Sequence, residues 1–195
     1  MSKPPPLIVV IAGPNGAGKS TFAARLLPSR YGSIPFLNAD DIARDLSPAD
    51  VEGVAFEAGS LMLARVRNLI DLRRSFAFET TLAGRKFARR LRGAGGLGYR
   101  VHLFFLRLAD AELAVARVRQ RVSAGGHNIP EDEVRRRYAR GGDNFFELYR
   151  PLAHEWYVYN NSDYYNPGVI AAGRGTALEH VFRPEEWSQF SRSHE

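Results

Sequence analysis

The residues best suited to chemistry form one run, Gly13-Pro14-Asn15-Gly16-Ala17-Gly18-Lys19-Ser20, followed by Thr21. The spacing is that of a phosphate-binding loop, G-x-x-x-x-G-K-[ST]. Its glycines let backbone N–H groups turn inward around an anion, in conformations that a side chain forbids. A helix starting after them turns its positive end to the phosphates. Lys19 then reaches the β- and γ-phosphates, and the Ser20 hydroxyl is placed to ligate a magnesium ion. ATP with Mg²⁺ is the expected ligand.

Three further groups have types and positions suited to the same chemistry. Asn38-Ala39-Asp40-Asp41 stands at the end of a short apolar run, where Asp40 can accept the proton of an acceptor hydroxyl and Asp41 or Asp40 can cap a helix. Phe76-Ala77-Phe78-Glu79-Thr80-Thr81 places a carboxylate and two hydroxyls at another strand end, where Glu79 can help hold magnesium or, with Thr80 and Thr81, orient the acceptor. Arg117, Arg119 and Arg121 precede Gly125-Gly126-His127, and Arg135, Arg136, Arg137 and Arg140 follow it. A glycine-hinged segment between arginines suits a lid, about residues 117–140, that brings positive charge to a transferred phosphoryl group. Arg121 and Arg136 are the expected lid cations. The alternative is a solvated arginine face paired with Glu131, Asp132 and Glu133. No second histidine stands at metal-ligand spacing from His127, so it is expected to contact substrate or hold the loop.

These groups require positioning elements. Leu7–Ala12 is a continuous apolar run, as in a strand buried on both faces of a parallel sheet. Residues 19–27 read as a helix stopped by Pro28, Ile34–Asn38 as a strand, and residues 49–74 as a long helix. Strand Phe76–Glu79, an arginine-rich helix over 83–93 and strand Tyr99–Leu106 follow. Then come helices over 110–123 and 131–140 and strands Trp156–Tyr159 and Val169–Ala172, with a loosely held tail after Glu185. Alternating strands and helices imply a three-layer α/β P-loop fold with a mainly parallel central sheet. The 195 residues are expected to form a single domain.

Composition narrows the class. Hydrophobic residues make up 45% and charged residues 25%, ordinary for a globular protein. Cysteine is absent, which excludes disulfides and thiolate metal sites. No apolar run approaches the roughly 20 residues of a membrane span, and MSKPPP lacks a signal-peptide core, so the expected compartment is the cytoplasm. The net charge of +6 is carried almost wholly by arginine, since lysine occurs only at Lys3, Lys19 and Lys86. Without a basic stripe interleaved with aromatics, a small phosphorylated ligand is expected rather than nucleic acid.

GPNGAGKST, NADDIA, SFAFETTLAGR and RVRQRVSAGGHNIPEDEVRRRY together resemble the zeta-toxin family of P-loop kinases, in its short stand-alone branch, over residues 7–162. The resemblance implies transfer of the ATP γ-phosphate to the amino-sugar 3′-hydroxyl of UDP-N-acetylglucosamine. It also implies a separate antitoxin protein as a partner. Lys19 and Ser20 match the family's phosphate loop, Asp40 its catalytic aspartate, and Glu79 the acidic residue after its third strand. The two lid arginines of the family fall among Arg117, Arg121, Arg136 and Arg137. Larger members carry aspartate-x-phenylalanine-arginine where this chain reads Asp40-Asp41-Ile42-Ala43, so that arginine has no counterpart. Two other readings stand beside this one: a kinase of another small hydroxyl compound, such as an antibiotic or nucleoside, in the manner of chloramphenicol phosphotransferase, and a nucleotide-switched ATPase or binding protein. Against the last, the chain has no transporter signature and no long apolar strand ending in Asp-Glu.

Overall fold

The computed structural model describes residues 4–163 and 167–194; Lys3 lies outside them. A seven-stranded sheet runs in the order β2-β3-β1-β4-β5-β6-β7. Its strands are β1 (Leu7–Ala12), β2 (Phe36–Leu37), β3 (Phe76–Thr80), β4 (Arg100–Arg107), β5 (Glu155–Asn160), β6 (Gly168–Arg174) and β7 (Ala177–Val181). The first five pair in parallel, and β6 and β7 extend the sheet antiparallel. The chain leaves β1 for β2 and β3 on one side and then crosses to β4 on the other. The carboxyl end of β1 therefore lies at a topological switch point, where open α/β sheets bind ligands.

Strand alternation explains the layering. Ile8, Val10, Phe76, Phe78, Leu103 and Trp156 face one way and pack with α3 (Ala55–Asp71) and α4 (Lys86–Gly96). Val9, Ile11, Phe104 and Leu106 face the other way, against α1 (Lys19–Arg30), α5 (Ala111–Ser123) and α6 (Glu131–Asn144). Ile8 to Ala12 are wholly buried, as the unbroken apolar run requires.

Several boundaries differ from expectation. Helix α1 does not stop at Pro28; the proline sits in its last turn, where one hydrogen bond is lost, while Leu27 buries against the sheet. Strand β2 has only two residues. Neither Asp40 nor Asp41 caps α2 (Ala39–Leu46). Asn38 does, its Oδ1 accepting from the Asp40 N–H at 2.8 Å. Residues 49–54 are turns, with Asp50 Oδ1 accepting from Gly53 N–H at 2.9 Å, so α3 begins only at Ala55. Helix α4 starts later than expected and runs through Gly93, Gly95 and Gly96. Buried Ala88, Leu91 and Ala94 hold one face, enough to offset the glycine penalty of about 1 kcal/mol each. Helix α6 continues to Asn144 and passes into a π-helical turn, Phe145–Tyr149, and a 3₁₀ turn, Arg150–Leu152.

Residues 184–192 form a helix rather than the loosely held tail expected. Helix α7 (Pro184–Arg192) begins on a proline and lays Phe190 into the core, its ring 5.4 Å from Phe105 and 5.0 Å from Phe146. Phe190→Ala is expected to cost about 3–5 kcal/mol, read as a lower urea midpoint with an unchanged slope. A variant as stable as wild type would make α7 an ornament on the surface.

Candidate active site

The ends of β1, β2 and β3 meet at one cleft because the sheet pairs them in register. Ala12 lies beside Thr80, and Leu37 beside Phe78. The phosphate loop, the start of α2 and the β3–α4 turn thus border a cavity of about 420 Å³. Gly13 N–H donates to Thr80 O at 3.2 Å, which ties the loop to β3. At φ +143°, Gly13 adopts a backbone that L side chains avoid, and a Cβ there would stand 2.4 Å from Leu106 O.

The loop has further braces. Arg117, buried in α5, donates to Asn161 O at 2.8 Å, to Ser162 O at 2.6 Å and to Gly16 O at 3.4 Å. Asn161 Nδ2 donates to Ala17 O at 2.6 Å. Helix α1 opens with Gly18 in a left-handed conformation and no side-chain cap. Its first-turn N–H groups therefore have no intrahelical acceptor and face the cleft as an anion site. Lys19 is buried and donates to Pro14 O at 3.0 Å. Burial pulls its ammonium below the ordinary lysine value, against the neighbouring charges of Glu79 and Asp40. Asn15 Oδ1 and Arg121 Nε are buried without hydrogen-bond partners in residues that line the same cleft. Such atoms are costly unless a ligand satisfies them.

Opposite the loop, the Ser20 hydroxyl donates to Glu79 Oε2 at 2.8 Å. Burial raises the Glu79 pKa from the ordinary glutamate value, opposed by Lys19 and by the Ser20 hydrogen bond. These two oxygen donors suit a magnesium ion, which favours oxygen and keeps several waters and phosphate oxygens in its shell. Among the described residues, no cluster of three or more His, Cys, Asp and Glu side chains forms a cage, so phosphate and water would complete the set. Thr80 and Thr81 also line the cleft, and Thr80 Oγ1 accepts from Leu82 N–H at 3.1 Å.

Asp40 forms the far wall. Its Oδ2 lies 3.8 Å from Arg121 Nη1 and its Oδ1 lies 3.8 Å from His127 Nε2. Asp41 points away to an exposed pair with Arg44. Asp40 also borders a second cavity, of about 290 Å³, lined by Ala43, Val51, Ala55, Ile129 and Pro130 with Glu52, His127 and Arg137.

The cleft thus gathers Asn15, Gly16, Gly18, Lys19, Ser20, Thr21, Asp40, Glu79, Thr80, Thr81 and Arg121. Gly13, Pro14 and Ala17 shape the loop from behind, and His127 lies at the second cavity. Arg136 is not brought to the cleft. It pairs with Glu133 on an exposed face, and its neighbour Arg137 lines both cavities instead. Helical phase decides this, because adjacent residues point about 100° apart. Arg119 and Arg135 form surface ion pairs with Glu131 and Glu112, the solvated-face arrangement. Sequence reasoning missed Asn38, whose capping type before two aspartates was a readable signal. It also missed Asn161, for which a partner 144 positions away left none.

Strand order, phosphate loop and cleft are those of a P-loop phosphotransferase using ATP. The Zeta toxin family model matches residues 1–166. A protein of Haemophilus influenzae, itself uncharacterized, is 30% identical over 131 residues, 67% of this chain and 91% of that one. A structure from the PezAT chromosomal toxin–antitoxin system of Streptococcus pneumoniae superposes with a TM-score of 0.65 at 17% identity, over 99% of this chain and 87% of that one. AvrRxo1-ORF1:-ORF2 with ATP superposes at 0.73 and 17% identity, over 98% of this chain and 64% of that one, so the chain spans less than two thirds of its length. A gluconokinase from Sinorhizobium meliloti superposes at 0.53 with 15% identity, over 83% of this chain and 86% of that one. The chain belongs to the zeta-toxin family. Among the described residues, no helix is long and apolar enough to cross a membrane.

Proposed function

We propose that this phosphotransferase moves the γ-phosphate of ATP to a hydroxyl of a sugar nucleotide such as UDP-N-acetylglucosamine, with Asp40 as general base. The observation that carries this reading is the position of Asp40. It stands between the phosphate-binding cleft and a second cavity, so that one carboxylate borders both. In the proposed assignment, the triphosphate lies along the loop under Lys19. Magnesium held by Ser20 and Glu79 would offset charge on the β- and γ-phosphates. Arg121 and Arg137 supply positive charge from the lid side, where Arg136 was expected. Asp40 removes the acceptor proton as the phosphoryl group departs. A separate antitoxin is the proposed protein partner, as in the toxin–antitoxin system of the PezAT relative.

A second reading has its own observation. Ala43 lines the second cavity where larger family members carry an arginine, and Val51, Ala55, Ile129 and Pro130 make much of that wall apolar. This favours a compact hydroxyl compound without a diphosphate. Incubating the protein with ATP, magnesium and a metabolite extract, with UDP-N-acetylglucosamine as a defined acceptor, separates the two. Phosphorylated UDP-N-acetylglucosamine by mass spectrometry is the expected product. A phosphoryl gain confined to other hydroxyl compounds would replace the sugar-nucleotide reading, and no gain beyond ATP hydrolysis would remove both.

A further inference from the structure

His127, in the 124–130 segment, faces Asp40 at the start of α2. Its Nε2 is 3.8 Å from Asp40 Oδ1, while Arg121 faces the other carboxylate oxygen. The ring is mostly buried, and two contacts fix the backbone around it. Arg121 Nη2 donates to His127 O at 3.2 Å, and Asn128 N–H donates to Glu52 Oε1 at 3.1 Å. A histidine needed only to fill space or to cap the loop would not have to present a ring nitrogen to the carboxylate. From this geometry we propose that His127 is a positioning residue for Asp40 that acts through it, receiving the proton of its carboxyl group after phosphoryl transfer while Arg121 flanks the carboxylate. The inference rests on the reading of Asp40 as the base.

The acceptor oxygen forms a bond to the γ-phosphorus as the bond from the γ-phosphorus to the bridging oxygen breaks, and that electron pair leaves with ADP. The acceptor proton passes to Asp40 and then to His127 Nε2, which releases it to water. A ring that receives a proton must be neutral beforehand. Burial lowers the His127 pKa below the ordinary histidine value of about 6.5, with Asp40 opposing. The charged groups around the ring are Asp40 and Arg44 of α2, Glu52 before α3 and Arg121 of α5, with Glu133 and Arg137 of α6 along the same cavity. Arginine beside the ring disfavours a second positive charge there, and so returns the proton to solvent.

Two measurements test this. In the first, the five histidines are titrated by NMR in the protein without substrate, with His127 assigned by its loss in His127→Gln. Asp40→Asn removes the charge that raises the His127 pKa, so its titration is expected to move to lower pH. An unmoved titration overturns the proposal whether or not an acceptor is known. In the second, ADP formation is followed with UDP-N-acetylglucosamine between about pH 5 and 8. His127→Gln is expected to lower kcat roughly tenfold, short of the 10²–10⁴ of direct base catalysis, with KM for ATP unchanged. The acid limb of kcat should shift to lower pH, because protonated His127 no longer limits turnover. An acid limb identical to wild type would leave His127 a merely structural residue. Asp40→Asn separates the two levels: full turnover in that variant sinks the base itself, whereas lost turnover with an unmoved His127 titration sinks only the relay.

Discussion

Lys19→Ala is expected to abolish turnover and leave the fold intact. The ammonium is buried in the phosphate loop, held by Pro14 O at 3.0 Å, with Glu79 and Asp40 as the opposite charges acting on it. Its pKa is depressed by burial, so the folded state disfavours the charged form. For a lysine with a lowered folded pKa, the ionised group reduces stability at neutral pH. Replacing it with alanine removes that cost but also strips buried Glu79 of its neighbouring cation, so the melting temperature is expected to stay near that of wild type. Catalysis responds differently. Charge builds on the phosphoryl oxygens as the bond to the bridging oxygen breaks, and a preorganised cation in a water-poor site acts mainly on that state. Removing one such donor typically costs about 10²–10³ in kcat. Here the loss should exceed that range, since without Lys19 the buried Glu79 loses its neighbouring cation and is pushed further toward its protonated form. The checks are ADP formation and thermal melting on the same preparations. Undiminished, magnesium-dependent turnover would remove the kinase reading, and a collapsed melting transition would assign Lys19 to the fold.

Legibility in the sequence followed the range of the interactions. The run from Leu7 to Thr21 was readable because strand, loop and helix are contiguous and each residue type is demanded by local geometry. The strand ending in Glu79 was readable for the same reason, and register with β1 then carries Glu79 to Ser20. Phase along the arginine-rich helix α6 was not. Arg136 and Arg137 are adjacent, and only the packing of Val134 into the core sets which one turns to the cleft. Strand β7 was missed because Ala177 to Val181 are all exposed, so no alternation marks the strand. Helix α7 did leave a signal, a proline followed by Trp187 and Phe190 three apart, but what it packs against lies on distant elements, Phe105 and Phe145–Phe146.

Asp40→Asn is expected to lower turnover by about 10²–10⁴-fold while leaving ATP affinity nearly unchanged. From sequence, Asp40 is the expected base, with Asp41 or Asp40 open to cap the helix. The helix in fact starts at Ala39 under an Asn38 cap, so both aspartates lie in its first turn. Helical phase is what separates them. Asp40 turns toward the cleft and faces Arg121 and His127 at 3.8 Å, whereas Asp41 turns outward to Arg44. Asparagine keeps the size of the side chain and its contact with Arg121, but it cannot take a proton. The loss should therefore fall on the chemical step and not on binding. Asp41→Asn removes only an exposed pair of the kind that contributes little, and turnover is expected within about twofold of wild type. Single-turnover phosphorylation, with ATP binding measured separately, tells the two apart. Should Asp41→Asn be the more impaired, the base lies one residue further along. Should both retain activity, Glu79 becomes the next carboxylate to replace. Burial raises its pKa, and it too lines the cleft.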